Sequence, residues 1–262
     1  MRLTKSGFTL LEISISIALI GLIAGTVLVS QGFMRRNELR NVVVDATTYT
    51  TAIQQFRVKY GSLPGDMPNA RSVWGALATC PTGSSAGGKA TCDGNGNGRI
   101  ESGACEDYRV WQHLAAGEFI GGTYSGISGR VACAPNSQIG VNSPEGSLAG
   151  TAFSITSYGE FIDNSHPDFF DGDYKNTMIF GLQLANSYSW GPALTTEAAM
   201  EIDLKADDGS PVTGNIRSVK PRLLPLPPSP APDCVTAGGV YNEIFSDKAC
   251  ALLFMSSFAT RE

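Results

Sequence analysis

The amino-acid sequence predicts an α+β protein, with one long N-terminal α-helix followed by a small antiparallel β-sheet head carrying disulfide-bonded loops. Three observations predict it. Residues 8–34 form an apolar run in which Glu12 is the only charge, and a helical stripe continues to residue 60. Two short β-rich segments follow between residues 150 and 185. All six cysteines lie beyond the apolar run, an even count that reads as three disulfides formed in an oxidising compartment.

The N-terminus comes first in the argument. Arg2 and Lys5 precede Gly7, and Arg35 and Arg36 close the run. Nothing between 13 and 34 is charged, enough at ~1.5 Å per residue to cross a ~30 Å hydrocarbon core. An isolated carboxylate just inside such a helix is expensive and functional by default. Glu12 therefore needs a partner. The sequence offers one only if the chain is cut after Gly7, because the α-amino group freed at Phe8 shares a helix face with Glu12 at i and i+4. A secretory signal peptide would be cut after its apolar run, not before it. A plain anchor explains the run but neither Glu12 nor the Gly7-Phe8 junction.

These residues, KSG-FTLLE followed by an apolar helix, resemble the prepilin signature of type IV pilins and type II secretion pseudopilins. The resemblance implies a pilin-like fold whose N-terminal helix is both membrane anchor and filament spine. It implies cleavage between Gly7 and Phe8 by a prepilin peptidase, methylation of the new Phe8 N-terminus, and an assembly role for Glu12. Its partners would be that peptidase, other pilin or pseudopilin subunits and an inner-membrane assembly platform. The protein would cross the bacterial inner membrane once, with its head in the periplasm or exterior, before entering a pilus or pseudopilus. Arg2 and Lys5 agree with a cytoplasmic leader under the positive-inside rule.

The helix does not stop at the membrane surface. Leu39, Val42, Val43, Ala46, Tyr49, Ile53, Phe56 and Tyr60 recur at three- and four-residue steps, with polar residues between them. Gly61 and Pro64 supply the stop, and Pro64-Gly65-Asp66 suits a turn. One helix over 8–60 would be roughly 80 Å long.

The next informative stretch is CDGNGNGRIESGACEDYRVWQHL. Asp93, Asn95 and Asn97 alternate, Gly98 is sixth and Ile100 eighth, the first half of an EF-hand type calcium loop. Arg99 would give its backbone carbonyl, and Glu101 holds the ninth position. The twelfth position is Ala104 rather than the usual bidentate Glu, so Glu106 is the candidate replacement from two residues further on. Calcium is thus the one candidate cofactor, against the alternative of a glycine-asparagine turn without an ion. A bridge between the flanking Cys92 and Cys105 would staple this loop. A helix containing Trp111 and Leu114 follows, with His113 as a packed or surface residue.

Further along, 152–158 and 177–185 are candidate strands, separated by a polar loop, 163–175, that holds His166, Asp168, Asp171 and Asp173. A helix capped by Thr195 runs to about Lys205. Six prolines within 221–232 predict an extended connector. The C-terminal segment then resembles the disulfide-bounded end of many pilins, which implies a Cys234–Cys250 bridge. The pairing of Cys80, Cys92, Cys105 and Cys133 stays open.

No catalytic constellation emerges. Ser85 sits in a formal G-x-S-x-G, but without the strand and helix that a nucleophile elbow needs. Asp207 and Asp208 precede Gly209, a turn pattern rather than a carboxylate pair with Asp203. The net charge of −5 and the lack of a basic patch argue against nucleic acid as a partner. The expected organisation is a leader (1–7), a transmembrane and filament-core helix (8–34), its amphipathic half (35–60), a head (61–220), the connector (221–232) and a disulfide-bounded end (233–262). The expected function is structural, a filament subunit processed by prepilin peptidase. The alternatives are a minor or tip subunit with a ligand-binding head and, with least support, a membrane-anchored enzyme.

Overall fold

The computed structural model describes residues 9–85, 87–163, 165, 169–219, 234–236, 238–244 and 246–255, and within the first helix it leaves the side chains of 26–34 outside that description. Gly7, Phe8, His166, Asp168 and the proline-rich connector therefore lie outside the described residues. The fold is mixed α/β, with an antiparallel sheet and three disulfides. The chain divides into two units, 1–41 and 42–262.

Helix α1 spans Leu10–Tyr60, and its residues 10–41 belong to the first unit. Among the described residues no helix is long and apolar enough to cross a membrane, and the side chains of 26–34, the latter part of the apolar run, are not among them. Leu10, Ile17, Ile20 and Leu22 are exposed in this unit. Ser14 and Ser16 donate their hydroxyls back to the Leu11 and Glu12 carbonyls at 2.8 and 2.7 Å, so these two polar groups are satisfied inside the helix.

In the second unit, residues 42–60 of α1 bury the predicted stripe: Val42, Ala46, Ile53 and Phe56 are all at most 3 % exposed. Tyr49 meets Trp111 of α3 (Arg109–Ala116) and Phe153 of β1 (Thr151–Thr156), with ring centroids 5.1 Å away in both cases. β1 pairs antiparallel with β4 (Thr177–Leu182), β4 with β8 (Leu252–Phe254), and β8 with β6 (Ile216–Arg217), in the order β1-β4-β8-β6.

Register decides what each sheet face does. Phe153 stands opposite Phe180 and Ile155 opposite Met178, and this face meets α1 through Tyr49. Ile179 pairs with Leu253 on the other face, where Tyr108, Phe169, Tyr174, Tyr188 and Trp190 close over them. Both faces are buried, so β1 reads as buried at every position rather than alternating. Ser154, which points into this second layer, is paid for by hydroxyl bonds to Ser137 and Ser189 at 2.6 and 3.0 Å.

The strands end slightly earlier than the sequence predicts, at Thr156 and Leu182. The 163–175 loop is not only a polar connector. Its Gly172–Asp173 forms β3 against β2 (Glu160–Phe161), and Phe169 is 3 % exposed in the aromatic layer. α4 (Thr196–Ala206) starts at the predicted cap, with the Thr195 hydroxyl oxygen accepting the Ala198 N–H at 3.2 Å. A short α2 (Ala70–Trp74) follows the predicted turn. β5 (Leu194–Thr195) pairs with β7 (Lys248–Cys250), and Cys234 is joined to Cys250. Cys80 pairs with Cys92 and Cys105 with Cys133, so no Cys92–Cys105 staple exists. Each of these cysteines is taken by a partner outside the loop it was expected to close.

Because Phe153 is wholly buried between α1 and the sheet, Phe153→Ala should cost about 3–5 kcal/mol. Urea unfolding should show a lower midpoint at unchanged slope.

Candidate functional site

Two places carry the sequence-predicted chemistry, and the N-terminal one is simpler. Leu10 is the first helical residue of α1, so Thr9 precedes it as cap and Glu12 stands three residues further on. The Glu12 N–H donates to Thr9 Oγ1 at 3.2 Å, while the Thr9 N–H and hydroxyl both donate to Glu12 Oε2 at 3.0 Å. This is a reciprocal capping box. It corrects the expectation that Glu12 has no partner until an amine is freed at Phe8. The sequence carries the signal as Thr-x-x-Glu, in which the carboxylate is a hydrogen-bond acceptor as well as a charge.

The second place is the 93–106 loop, which the structure builds around two other carboxylates. Asp66 is 2 % exposed and Glu106 1 %. Asp66 Oδ1 accepts the Asn97 N–H at 3.0 Å and Oδ2 accepts the Gly98 N–H at 2.8 Å. Glu106 Oε1 accepts the Asn95 N–H at 2.9 Å and Oε2 the Glu101 N–H at 3.1 Å. All four carboxylate oxygens thus bind loop amides. The turn before α2 and the loop are also laced directly, Gly94 N–H to the Met67 carbonyl and Gly96 N–H to the Asp66 carbonyl, both at 2.9 Å. Glycine is required where they touch: a Cβ on Gly94 would lie 2.4 Å from the Asp66 backbone.

The predicted calcium donors are distributed unequally. Asn95 and Asn97 use their side-chain oxygens on the N–H groups two residues on, at 2.9 and 2.8 Å. Glu101 accepts the Asn97 side-chain amide at 2.9 Å and meets the Arg99 guanidinium at 3.4 Å. Asp93, the first position of the motif, is turned away: it accepts the Arg71 N–H at 2.8 Å and pairs with the Arg71 guanidinium at 2.6 Å, so it caps α2 instead. What this loop offers a hard cation is Asp66, Glu106 and the amide oxygens, each oxygen keeping a further lone pair. In sequence Asp66 looks like an ordinary residue of a helix-ending turn, because the amides it serves lie some thirty residues away. Asn176 completes the clamp, accepting the Ile100 N–H at 2.8 Å and donating to the Gly98 carbonyl at 2.9 Å.

Charge at this centre is solvated by backbone. Burial pushes the Glu106 carboxyl up to about 7, against the pull of the Asn95 and Glu101 amides and with a further push from Asp66 and Glu101. Burial likewise raises Asp66. Asp107 rises to about 7 for the same first reason, although Tyr188 donates its hydroxyl to it at 3.0 Å. His113 is held far down, at about 3, by burial and the nearby Arg109 cation. It is neutral, with Nδ1 accepting the Gly65 N–H and Nε2 facing Thr91 Oγ1, both at 2.9 Å. It is a packed residue of the core.

The remaining candidates have local duties. Ser85 donates its hydroxyl to the Tyr124 carbonyl at 2.8 Å. Asp203, Asp207 and Asp208 bring carboxylate oxygens within 4.8 Å of one another, the one such group among the described residues. Their oxygens fold the turn into β6: Asp203 accepts the Tyr241 hydroxyl at 2.8 Å, Asp207 the Ile216 N–H at 2.8 Å and Asp208 the Thr213 hydroxyl at 2.6 Å. Compared with known proteins, the chain matches no family model, no curated protein and no solved structure.

Two outcomes follow from the buried carboxylates. Asp66→Ala leaves the Gly98 N–H without its acceptor and the Asn97 N–H with Asn95 Oδ1 alone, and should cost about 1–3 kcal/mol in thermal or urea unfolding. The folded values of Glu106 and Asp107 lie above their ordinary 4.5 and 3.8, so the folded state binds more protons between about pH 4 and 7. Their contribution is fully present below about pH 4 and is lost as pH rises through about 7. In chelator, the stability difference between Asp107→Asn and the parent should therefore change with pH across this window, by about 4 kcal/mol. A flat difference would refute the assignment.

Proposed function

We propose that this chain is a structural subunit of a type IV pilus or type II secretion filament, made as a prepilin and assembled through its N-terminal helix. The observation that carries the reading is register. A cationic leader, the Gly7-Phe8 junction, Glu12 at the fifth position after the cut and an apolar run all fall in one order. An antiparallel sheet packed on residues 42–60 of α1 and a Cys234–Cys250 bridge are in keeping with it. On this reading prepilin peptidase cuts before Phe8 in the inner membrane and the new amine is methylated. The apolar helices then leave lipid for a bundle of like helices, with the head outside. Glu12 passes from its Thr9 cap to an amine of its own or a neighbouring chain.

The capping box sharpens the test of Glu12. Gln also serves at that position of the box, so Glu12→Gln keeps the cap and removes the charge, whereas Glu12→Val removes both. Both variants should remain in the membrane and assemble poorly, with filament yield by electron microscopy down about tenfold for the loss of one buried ion-pair partner. Normal filaments from Glu12→Gln would overturn the charge role. Mass spectrometry of the mature N-terminus should find methylated Phe8, and a large residue at 7, Gly7→Phe, should block processing. Unchanged processing would remove the leader assignment. Filament abundance also separates the two subunit classes: a sparse, tip-restricted protein is the ligand-binding alternative.

A further inference from the structure

The three disulfides differ in what can reach them. Cys92, Cys105, Cys133, Cys234 and Cys250 are all 7 % exposed or less. Cys80 alone is exposed. A thiol arriving from solvent therefore meets one sulfur, and attack there expels Cys92.

The surroundings of Cys92 suit a departing thiolate. Arg109, 2 % exposed, places Nη2 3.2 Å from Cys92 Sγ. Its other bonds go to neutral acceptors: Nη1 to Gln112 Oε1 at 2.7 Å, and Nη2 to the Pro81 and Gly83 carbonyls at 3.0 and 2.6 Å. Nε is buried without a partner, and no carboxylate pairs with this guanidinium among the described residues. Burial lowers it only to about 10, so it stays cationic at neutral pH. Neutral His113 competes with no charge here, and the neighbouring Asp93 carboxylate is held by Arg71. Arg109 is thus a buried cation whose nearest soft atom is the sulfur of a disulfide. A cation beside a thiol favours its thiolate, and a better leaving thiolate speeds exchange.

We infer that Cys80–Cys92 is a reversible S-thiolation site, attacked at Cys80 by a low-molecular-weight thiol, with Cys92 as leaving and resolving cysteine and Arg109 as its positioning cation. The incoming thiolate forms a sulfur–sulfur bond with Cys80 Sγ. The Cys80–Cys92 bond breaks, and its electron pair leaves on Cys92 Sγ beside the guanidinium. No net oxidation occurs in this step. Reclosure is the reverse, Cys92 thiolate attacking Cys80 and expelling the small thiol. A second thiol attacking the adduct instead completes a two-electron reduction, with the small disulfide as product. The backbone favours reclosure, because Leu77 N–H donates to the Thr91 carbonyl at 3.0 Å and Thr91 N–H to the Gly75 carbonyl at 2.9 Å. Those bonds keep the segments preceding Cys80 and Cys92 together when the bridge is open.

The test uses the full-length oxidised protein and reduced glutathione, quenched by alkylation and mapped by mass spectrometry. The first adduct should carry glutathione on Cys80 and the alkyl group on Cys92, with the other two bridges intact. Glutathione on Cys92, or first opening at Cys105–Cys133 or Cys234–Cys250, overturns the proposal. Arg109→Gln should slow opening of Cys80–Cys92 relative to Cys105–Cys133 in the same molecule by about tenfold. That ratio cancels any global loosening of the fold. Arg109→Lys should restore most of the rate, and an unchanged ratio in Arg109→Gln overturns the role of the guanidinium.

Discussion

Tyr49 touches Trp111 and Phe153 at the same 5.1 Å spacing, and most of the head depends on that double contact. It is where α1, α3 and the sheet meet. Fixing α3 against α1 fixes the chain just before it, Glu106 and Asp107, and so the loop that hangs from Glu106. Fixing β1 sets the register of β4 and thereby which residues face the aromatic layer beyond. Edge-on aromatic pairs add about 0.5–1.5 kcal/mol each to the area they bury, a useful margin when net stability is only about 5–15 kcal/mol.

The short run from Glu106 to Arg109 shows how this head handles charge. Glu106 and Arg109 stand at i and i+3, a spacing that on an exposed helix suggests an ion pair. They do not pair. Glu106 takes backbone amides of the loop, Asp107 takes the Tyr188 hydroxyl, and Arg109 takes carbonyls, an amide oxygen and a sulfur. Each ion is solvated separately by fixed dipoles. An arrangement of this kind leaves the anions prone to hold protons and the cation free to act on whatever lies beside it, because neither neutralises the other.

Much of this was legible because it is local. The stripe from Val42 to Phe56, the strands around Phe153 and Ile179, the helix of Trp111 and the Thr195 cap all announce themselves within a few residues. What was not legible depends on partners far apart in sequence. Asp66 meets its loop across some thirty residues and looks in sequence like any turn aspartate. Phe169, beside the acidic residues of its loop, has no periodicity to betray its burial, and the second sheet face exists only because such loop aromatics fold over it. The first four cysteines offer several pairings, and only the fold selects two. Asp93 matched its motif and failed it for the same reason, since Arg71 reaches it from another segment.

The Thr9–Glu12 box changes the physical meaning of the residue on which the filament reading turns. A carboxylate without a partner at the head of an apolar helix would have to be neutralised before the helix could sit in lipid. With three hydrogen bonds between Thr9 and Glu12, one end of the helix is capped and one carboxylate oxygen is solvated before any amine exists. The carboxylate is also placed where the N-terminal end of the helix dipole favours negative charge. On the proposed reading, cleavage then exchanges one partner for a stronger one rather than rescuing a bare ion. On that reading the drive for assembly is the difference between a neutral hydroxyl–amide cap and a cationic amine, not the full cost of burying a charge.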